Sequence, residues 1–409
     1  MPKSIEPSLS PGVRIQNARK RAGMSRAVLG GLVDRSAEWV KAVETGRLHT
    51  PRLDMLLRIA QALGLEDLRD LTGTASIPVA SFGGEAHAAL ADVRTALTSY
   101  HVIDESPPAS LDHLAVRLQQ AWHVRHSSPD HRTRLGVLLP GLIRDAQHAV
   151  RRIPDGRRRA ARRVLAGVYQ LADFYVAYQP APELLWIVAD RALIEGQEAD
   201  DPYTRAGGVW AMVQALRDAG RWEEAIELAS NTISQLNSSS ERGPDDWRGM
   251  VGALEAELAY IHARRGRAGD AWAHLETAHR IAGKLGGDYR HIQTSYSQAV
   301  MTAHATTVAV ELRRAGEAVQ AASRVSPDLI TSVPRRARHL IEIARAHHQQ
   351  GDYHATFALL DKSFTTAPET IRYNGFGRAM ILDMLASPPT GLRAEVQRLA
   401  SNVGLAVAA

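Results

Sequence analysis

Cysteine is absent from the 409 residues. That excludes disulfides, thiolate metal sites and cysteine nucleophiles, and fits a chain that works in a reducing compartment. Aromatic residues are also sparse, at 5%. No apolar run approaches the roughly 20 residues that a membrane-spanning helix needs. The opening stretch MPKSIEPSLSPG lacks the apolar segment of a secretory signal, so a soluble, cytoplasmic protein is expected. No phosphate-binding glycine loop, HExxH helix or GxSxG elbow occurs, and no enzymatic activity is expected. Histidines 123, 126 and 131, and likewise 347, 348 and 354, have no carboxylate or thiolate at recognisable ligand spacing. Neither a metal nor a cofactor is therefore expected.

Alternating β-branched runs are also few. Ala, Leu, Arg and Glu dominate between short Gly and Pro breaks, which predicts an all-α chain. Charge is unevenly placed. Residues 1–73 hold 12 Lys and Arg against 8 Asp and Glu, which is +4 of the total of +5. A short basic module on a near-neutral body is the balance that gripping a phosphate backbone requires.

The sequence divides accordingly. Residues 1–11 are expected to be a flexible N-terminus, 12–73 a compact five-helix unit, and 74–83 (TASIPVASFG) a linker. Amphipathic segments follow near 84–100, 110–127, 130–151, 156–178 and 181–198, and residues 84–202 are read as helical with divergent repeats. Residues 203–409 carry a recurring helical hairpin. AGRWEEAIELA puts Gly220 in a turn, Trp222 at the start of a helix and Ala225 where that helix meets its partner. RRGRAGDAWAHL repeats this with Gly266 and Ala271, and QQGDYHATFALL with Gly351, Tyr353 and Ala355-Thr356, closed by Pro368. RRAGEAVQAA is a weaker copy, read with Gly316 in a shortened turn before Ala318. Ala225, Ala271 and Ala318 are spaced by 46 and 47 residues, longer than the roughly 34-residue period of the repeats they resemble, the tetratricopeptide repeats. The resemblance implies an α-solenoid in which stacked hairpins bury a continuous core and leave a concave surface.

Residues 23–46, GMSRAVLGGLVDRSAEWVKAVETG, carry the functional signal. Ser25 is placed to cap a helix with apolar face Val28, Leu29 and Leu32, and Gly30 permits close approach. Val33-Asp34-Arg35 makes a turn, and Ser36 caps a second helix. Its inner face is Val40 and Val43, while Ala37, Glu38, Lys41 and Ala42 point outward. Ile15 and Ala18 before this hairpin, and Leu56, Ile59, Ala60 and Leu63 after it, complete the core.

Together with Glu44-x-Gly46, Pro51 and LLRIAQALG, these residues resemble the Cro/C1-type (XRE) helix-turn-helix family. The resemblance implies double-stranded DNA as partner. It makes Arg19 and Glu44 a structural tie, and gives Arg26, where the family usually has Gln, a phosphate at a helix N-terminus. It places Ala37, Glu38, Lys41 and Ala42 at base edges in the major groove, counts the capping Ser36 among the DNA-binding residues, and puts Arg52 near the minor groove at the dimer centre. Asp34 and Arg35 depart from the family's turn, and Trp39 is large for its position. Helix-turn-helix and solenoid together resemble actinobacterial regulators that dimerise and sense a peptide or other small effector. Two further readings fit the same residues: an antitoxin-like or phage-type repressor controlled by a protein partner, and a scaffold whose helix-turn-helix no longer binds DNA.

Two other constellations stand out. RRIPDGRRRAARR (151–163) contains seven arginines and one acid. Arg157, Arg158, Arg159, Arg162 and Arg163 are candidates for an anion or an accessory DNA contact. Tyr175, Tyr178, Trp186, Trp210, Trp222, Trp247 and Trp272 are expected mainly as interhelical contacts, with a ligand groove as the alternative. Asn231 and Asn237 are candidates to clamp a peptide backbone.

Overall fold

The computed structural model describes residues 10–33, 35–48, 51, 53–65, 67–73, 86–99, 106–240 and 244–405. The expected linker, Asp34, Arg52 and all but the last two residues of the expected flexible N-terminus lie outside them. Among the described residues every regular element is helical, and none of the helices is long and apolar enough to cross a membrane. The chain separates into two compact units, Met1–Glu85 and Ala86–Ala409.

The first unit contains α1 (Pro11–Arg21), α2 (Arg26–Leu32), α3 (Ala37–Glu44), α4 (Leu53–Ala62) and α5 (Arg69–Thr72). Serines start the first three helices. Ser10, Ser25 and Ser36 accept from the N–H groups of Val13, Val28 and Trp39, satisfying donors that a helix leaves open. Ile15, Leu29, Val40, Val43, Leu56 and Ile59 fill one core.

The sequence reading misassigned one face of α2. Val28 and Leu32 are 52% and 60% exposed, whereas Leu29 and Val33 are buried. α2 has only seven residues, and positions 29 and 33 share a helical face about 100° away from 28 and 32. A β-carbon on Gly30 would lie 2.5 Å from the Arg35 carbonyl oxygen, so α2 meets the turn into α3 backbone to backbone.

The second unit begins with α6 (Leu90–Thr98), α7 (Leu111–Ser127), α8 (His131–Arg152), α9 (Asp155–Val176) and α10 (Pro182–Glu198). It continues through α11 (Pro202–Asp218), α12 (Trp222–Ser240), α13 (Asp245–Arg264), α14 (Ala268–Leu285), α15 (Gln298–Glu311) and α16 (Ala315–Ala322). After a 3-10 turn at Pro327–Leu329 come α17 (Val333–Gln350), α18 (Tyr353–Thr366), α19 (Pro368–Arg372), α20 (Gly375–Ala386) and α21 (Arg393–Asn402). Consecutive helices pair as antiparallel hairpins, and the pairs stack. Gly196 and Gly208 set the closest approach between α10 and α11, since a β-carbon on either would fall 2.6–2.7 Å from the other helix's Cα atoms.

One turn geometry recurs at four of the hairpin turns of this unit. Gly220, Gly266, Arg313 and Gly351 end their helices at φ of 76°, 74°, 61° and 78°. In each, the next residue's N–H reaches back five residues: Arg221 to Leu216, Arg267 to His262, Arg314 to Ala309, Asp352 to His347. Five residues beyond the left-handed position stand Ala225, Ala271, Ala318 and Thr356, all fully buried. The third turn is therefore not shortened, and Gly316 is not its hinge. Gly316 lies inside α16, and Arg313 takes the left-handed conformation instead. The long spacing between repeats comes from long helices, 20 residues in α13 and 18 in α14, and from the non-helical connection 286–297 between α14 and α15.

The start of this unit also touches its end. Glu369 of α19 accepts from the backbone N–H groups of Arg132 and Thr133 at 2.6 and 3.2 Å, capping α8 from 237 residues away. His126 of α7 bonds to Ser332 and to the Ile292 carbonyl at 3.0 and 2.7 Å, and Arg338 of α17 donates to the Tyr178 hydroxyl at 3.1 Å.

Arg313 is exposed, so Arg313→Gly removes left-handed strain at little cost in contacts. It should raise stability by about 1 kcal/mol, while Gly266→Ala in the equivalent turn should lower it by about as much. Paired thermal melts of the two variants check this.

Candidate functional site

In the first unit, α3 is held by one buried carboxylate. Glu44, at its last turn, receives Arg19 Nε at 2.5 Å and Nη2 at 3.2 Å, and Arg26 Nε at 2.7 Å. Arg19 also donates to the Met24 carbonyl at 2.6 Å. The end of α1, the start of α2 and the end of α3 thus meet at a single point. Burial pushes the Glu44 carboxyl up, but the hydrogen bonds and charges of Arg19 and Arg26 more than reverse this and hold it below its ordinary value.

This tie fixes what α3 shows to solvent. Glu38 and Lys41, one turn apart, are exposed, Ala37 is half-buried at the helix start, and Ser36 is exposed at the cap. Ala42 is not outward-facing as its position suggested, being 3% exposed. The chain leaving α3 folds back there, with the Leu48 N–H donating to the Ala42 carbonyl at 2.9 Å, and a methyl has little surface to present. Trp39 is half-buried against the core, with the Arg35 guanidinium 5.8 Å from its ring. Arg26 sits at the α2 N-terminus with a third of its side chain accessible, so its bond to Glu44 aims rather than hides it. Arg52 lies outside the described residues. Residues 12–71 match the model of a helix-turn-helix domain.

That unit is a helix-turn-helix domain.

No curated protein matches the chain. Among solved structures, a Rap protein complexed with competence and sporulation factor is 13% identical, with 72% of this chain and 88% of that one covered and a TM-score of 0.45. The apo form of ComR from S. thermophilus is 14% identical over 92% and 98% of the two chains, at a TM-score of 0.31. ComR from S. thermophilus in complex with DNA and its signalling peptide ComS is 14% identical over 87% and 99%, at 0.27.

The second unit holds a site that the sequence reading missed. Two adjoining cavities of about 110 and 150 Å³ share Tyr178, Gln214, Arg217, Glu257, Arg335 and Arg338 as walls. Their linings come mainly from the first helix of each hairpin: α9, α11, α13, α15 and α17, with α7 and the start of α8 closing one side. Most of the charge in these walls is paired. Arg217 bonds to Asp218 at 2.9 Å and Glu257 at 2.5 Å, Arg338 to Glu342 at 2.6 Å, and Arg345 to Glu342 at 2.6 Å and Glu311 at 2.9 Å. Burial lowers the Glu342 carboxyl's preference for its charge, and the two arginines overcome it, so its pKa ends below the ordinary value.

Asp173 is one exception. It is 4% exposed in the wall of the larger cavity, and its Oδ1 has no hydrogen-bond partner. Burial first, and then the charge of Asp218, push its carboxyl up to about 8, so it is mostly protonated at neutral pH.

Of the aromatics, Trp210 and Tyr178 line the larger cavity. Trp186, Trp222, Trp247 and Trp272 pack between helices, and Tyr175 is fully buried with its hydroxyl 2.9 Å from His87 Nδ1. Asn231 and Asn237 are exposed on α12, an outer helix, and do not reach the cavity. In the arginine run, Arg158 pairs with Asp155 at 2.6 Å, Arg159 with Asp200 at 3.2 Å and Arg162 with Glu195 at 2.8 Å. Arg157 and Arg163 are exposed. Three of the five thus serve the α9–α10 surface itself.

Two outcomes follow. Glu44→Ala leaves Arg19 buried without its partner and should cost the first unit about 3–5 kcal/mol. Faster hydrogen exchange across residues 11–48 of the full chain, with residues 106–405 unchanged, is the signature. For Asp173 the sign is fixed by its raised pKa: the stability it preserves is complete below about pH 4 and is lost as pH rises toward 8. Asp173→Asn should therefore gain on the natural protein across that window, by at most about 1.4 kcal/mol per pH unit. Urea denaturation at pH 5, 6, 7 and 8 reads the difference.

Proposed function

We propose that this chain is a sequence-specific DNA-binding transcription regulator rather than an enzyme, acting in the cytoplasm as a homodimer whose helical-repeat domain receives a peptide or other effector. One observation carries the reading. A short capped helix is locked from below by Glu44 and presents Glu38 and Lys41 on its free face. A recognition helix enters the major groove by its N-terminal residues. There Glu38 accepts from a cytosine amino group, Lys41 donates to a guanine edge or a phosphate, and the Ala37 methyl meets a thymine methyl. Arg26 at the α2 N-terminus meets a phosphate, where side-chain charge and helix dipole act together.

A single such helix reads few base pairs. Two copies on successive major grooves, about 34 Å apart, read a palindrome, which is the reason for expecting a dimer. The cavities between the inner helices support the effector part of the reading, because concave sites with a few convergent polar groups are where small ligands bind.

The test is selection of bound duplexes from a random library, followed by gel shifts. Lys41→Ala and Glu38→Ala should each weaken binding to the selected site by about 5- to 100-fold and relax preference at one position. Arg26→Ala, which also deprives Glu44 of one partner, should weaken all sequences alike. Absence of salt-dependent binding to any duplex by the natural protein overturns the reading.

A further inference from the structure

Three guanidiniums in the larger cavity lack what their neighbours have. Arg125 on α7, Arg132 in the first turn of α8 and Arg335 in the first turn of α17 all line it. Arg335 donates to the Thr294 carbonyl at 2.8 Å and Arg132 to the Tyr175 carbonyl. Neither bond supplies a negative charge. The Nε of Arg132, and both Nε and Nη1 of Arg125, are buried with no hydrogen-bond partner among the described residues. Arg125 stacks over the Phe174 ring at 4.7 Å, which orients the guanidinium without neutralising it.

The acids nearby do not resolve this. Asp218 and Glu257 are engaged by Arg217. Glu369 is committed to the N–H groups of Arg132 and Thr133 and to the Thr133 hydroxyl. Asp173 is held neutral by burial. Burial, followed by the charges of Arg132 and Arg335, holds Arg125 down to about 9. A fold that pairs Arg217, Arg338 and Arg345 so thoroughly leaves three cations lining one cavity without an ion pair among the described residues. Buried guanidiniums without an acid are costly. An oxyanion offering two acceptor oxygens, a carboxylate or a phosphate, is the group that their forked donors fit.

We propose that the larger cavity binds a small molecule bearing a carboxylate or phosphate, held by Arg125, Arg132 and Arg335 and hydrogen-bonded by the Asp173 carboxyl. The size sets the scale of the ligand. A cavity of about 150 Å³ accommodates a body of roughly benzene size. The cavity's own ligand is thus a compact anion, or the anionic end of a longer one. The proposal rests on the reading of the repeats as an effector domain only for its consequence at DNA, which the melting experiment does not involve.

The full chain is melted, with tryptophan fluorescence as the signal, in glutarate, inorganic phosphate, neutral glutaramide, or chloride at matched ionic strength. Glutarate or phosphate should raise Tm by several degrees in a saturable way, and the stronger of the two identifies the headgroup. Glutaramide and chloride should not. Arg125→Met should melt at or above the natural protein when no anion is present, because an uncompensated charge is gone, and should lose the anion response. Arg335→Gln should weaken the response at least tenfold. The proposal is overturned if neither anion exceeds chloride, if Arg125→Met lowers the ligand-free Tm as removal of a purely structural residue does, or if that variant keeps the response. Gel shifts on the same preparations report DNA binding separately, so failure of the cavity and failure of the DNA reading leave different records.

Discussion

Every guanidinium that this solenoid turns inward needs an acceptor, and that requirement organises the second unit. The inner helices contribute arginines at a depth where water is scarce. Arg217, Arg338 and Arg345 are met by Asp218 and Glu342 on their own helices and by Glu257 and Glu311 on neighbouring inner helices. Two of these pairs, Arg217 with Glu257 and Arg345 with Glu311, are ionic stitches between successive inner helices, α11 to α13 and α15 to α17, while the others orient the arginines along their own helices. Such stitches add little net stability compared with apolar contacts, but they penalise every register in which a charge is left alone. The hairpins can therefore stack apolar face to apolar face, with alanine and glycine at the closest approaches, while the charged rows select which stacking is accepted.

The same logic runs at smaller scale in the helix-turn-helix domain. Arg19, Arg26 and Glu44 join three helices at one buried point, so the orientation of α3 does not rely on a core assembled from short helices alone. A recognition surface needs this. A side chain reading a base edge loses its hydrogen bond if its helix tilts by a fraction of an ångström per residue, and a bidentate guanidinium fixes a carboxylate in both distance and plane.

Much of this was legible in the sequence, for local reasons. Serine caps, the Val40 and Val43 pair and the Gly-x-x-x-x-Ala hairpin signature are set within a few turns of chain, where helical periodicity applies directly, whereas the Arg19–Glu44 tie, between residues on two helices, is what the family resemblance implies. The misreadings are also local: in a seven- or eight-residue helix the flanking turns decide burial, as they do for Val28, Leu32 and Ala42. The cavity was illegible for a different reason. Arg125, Arg132, Asp173 and Arg335 come from four separate helices and converge only because the superhelix brings α17 back to α7 and α8. The arginine run at 151–163, by contrast, is contiguous in sequence and lies on the surface. A usable signal did exist: Arg335 and Arg338 interrupt VPRRARHLIEIARA, a helix whose neighbours Ala337, Leu340, Ile341 and Ala344 are buried. Charge on a helix covered on both sides marks either a pair or a site.

The cap that Glu369 places on α8 changes what kind of object the solenoid is. An open stack of repeats behaves as a line, in which each unit leans only on its neighbours and the ends fray first. Here the late hairpins hold the first ones through Glu369, His126 and Arg338, so the line is closed back on itself where α17 and α19 meet α7, α8 and the turn after α9. Loosening any one hairpin strains the closure. A loop of this kind passes a disturbance both ways around its circumference, as a hoop does when its clasp is pressed.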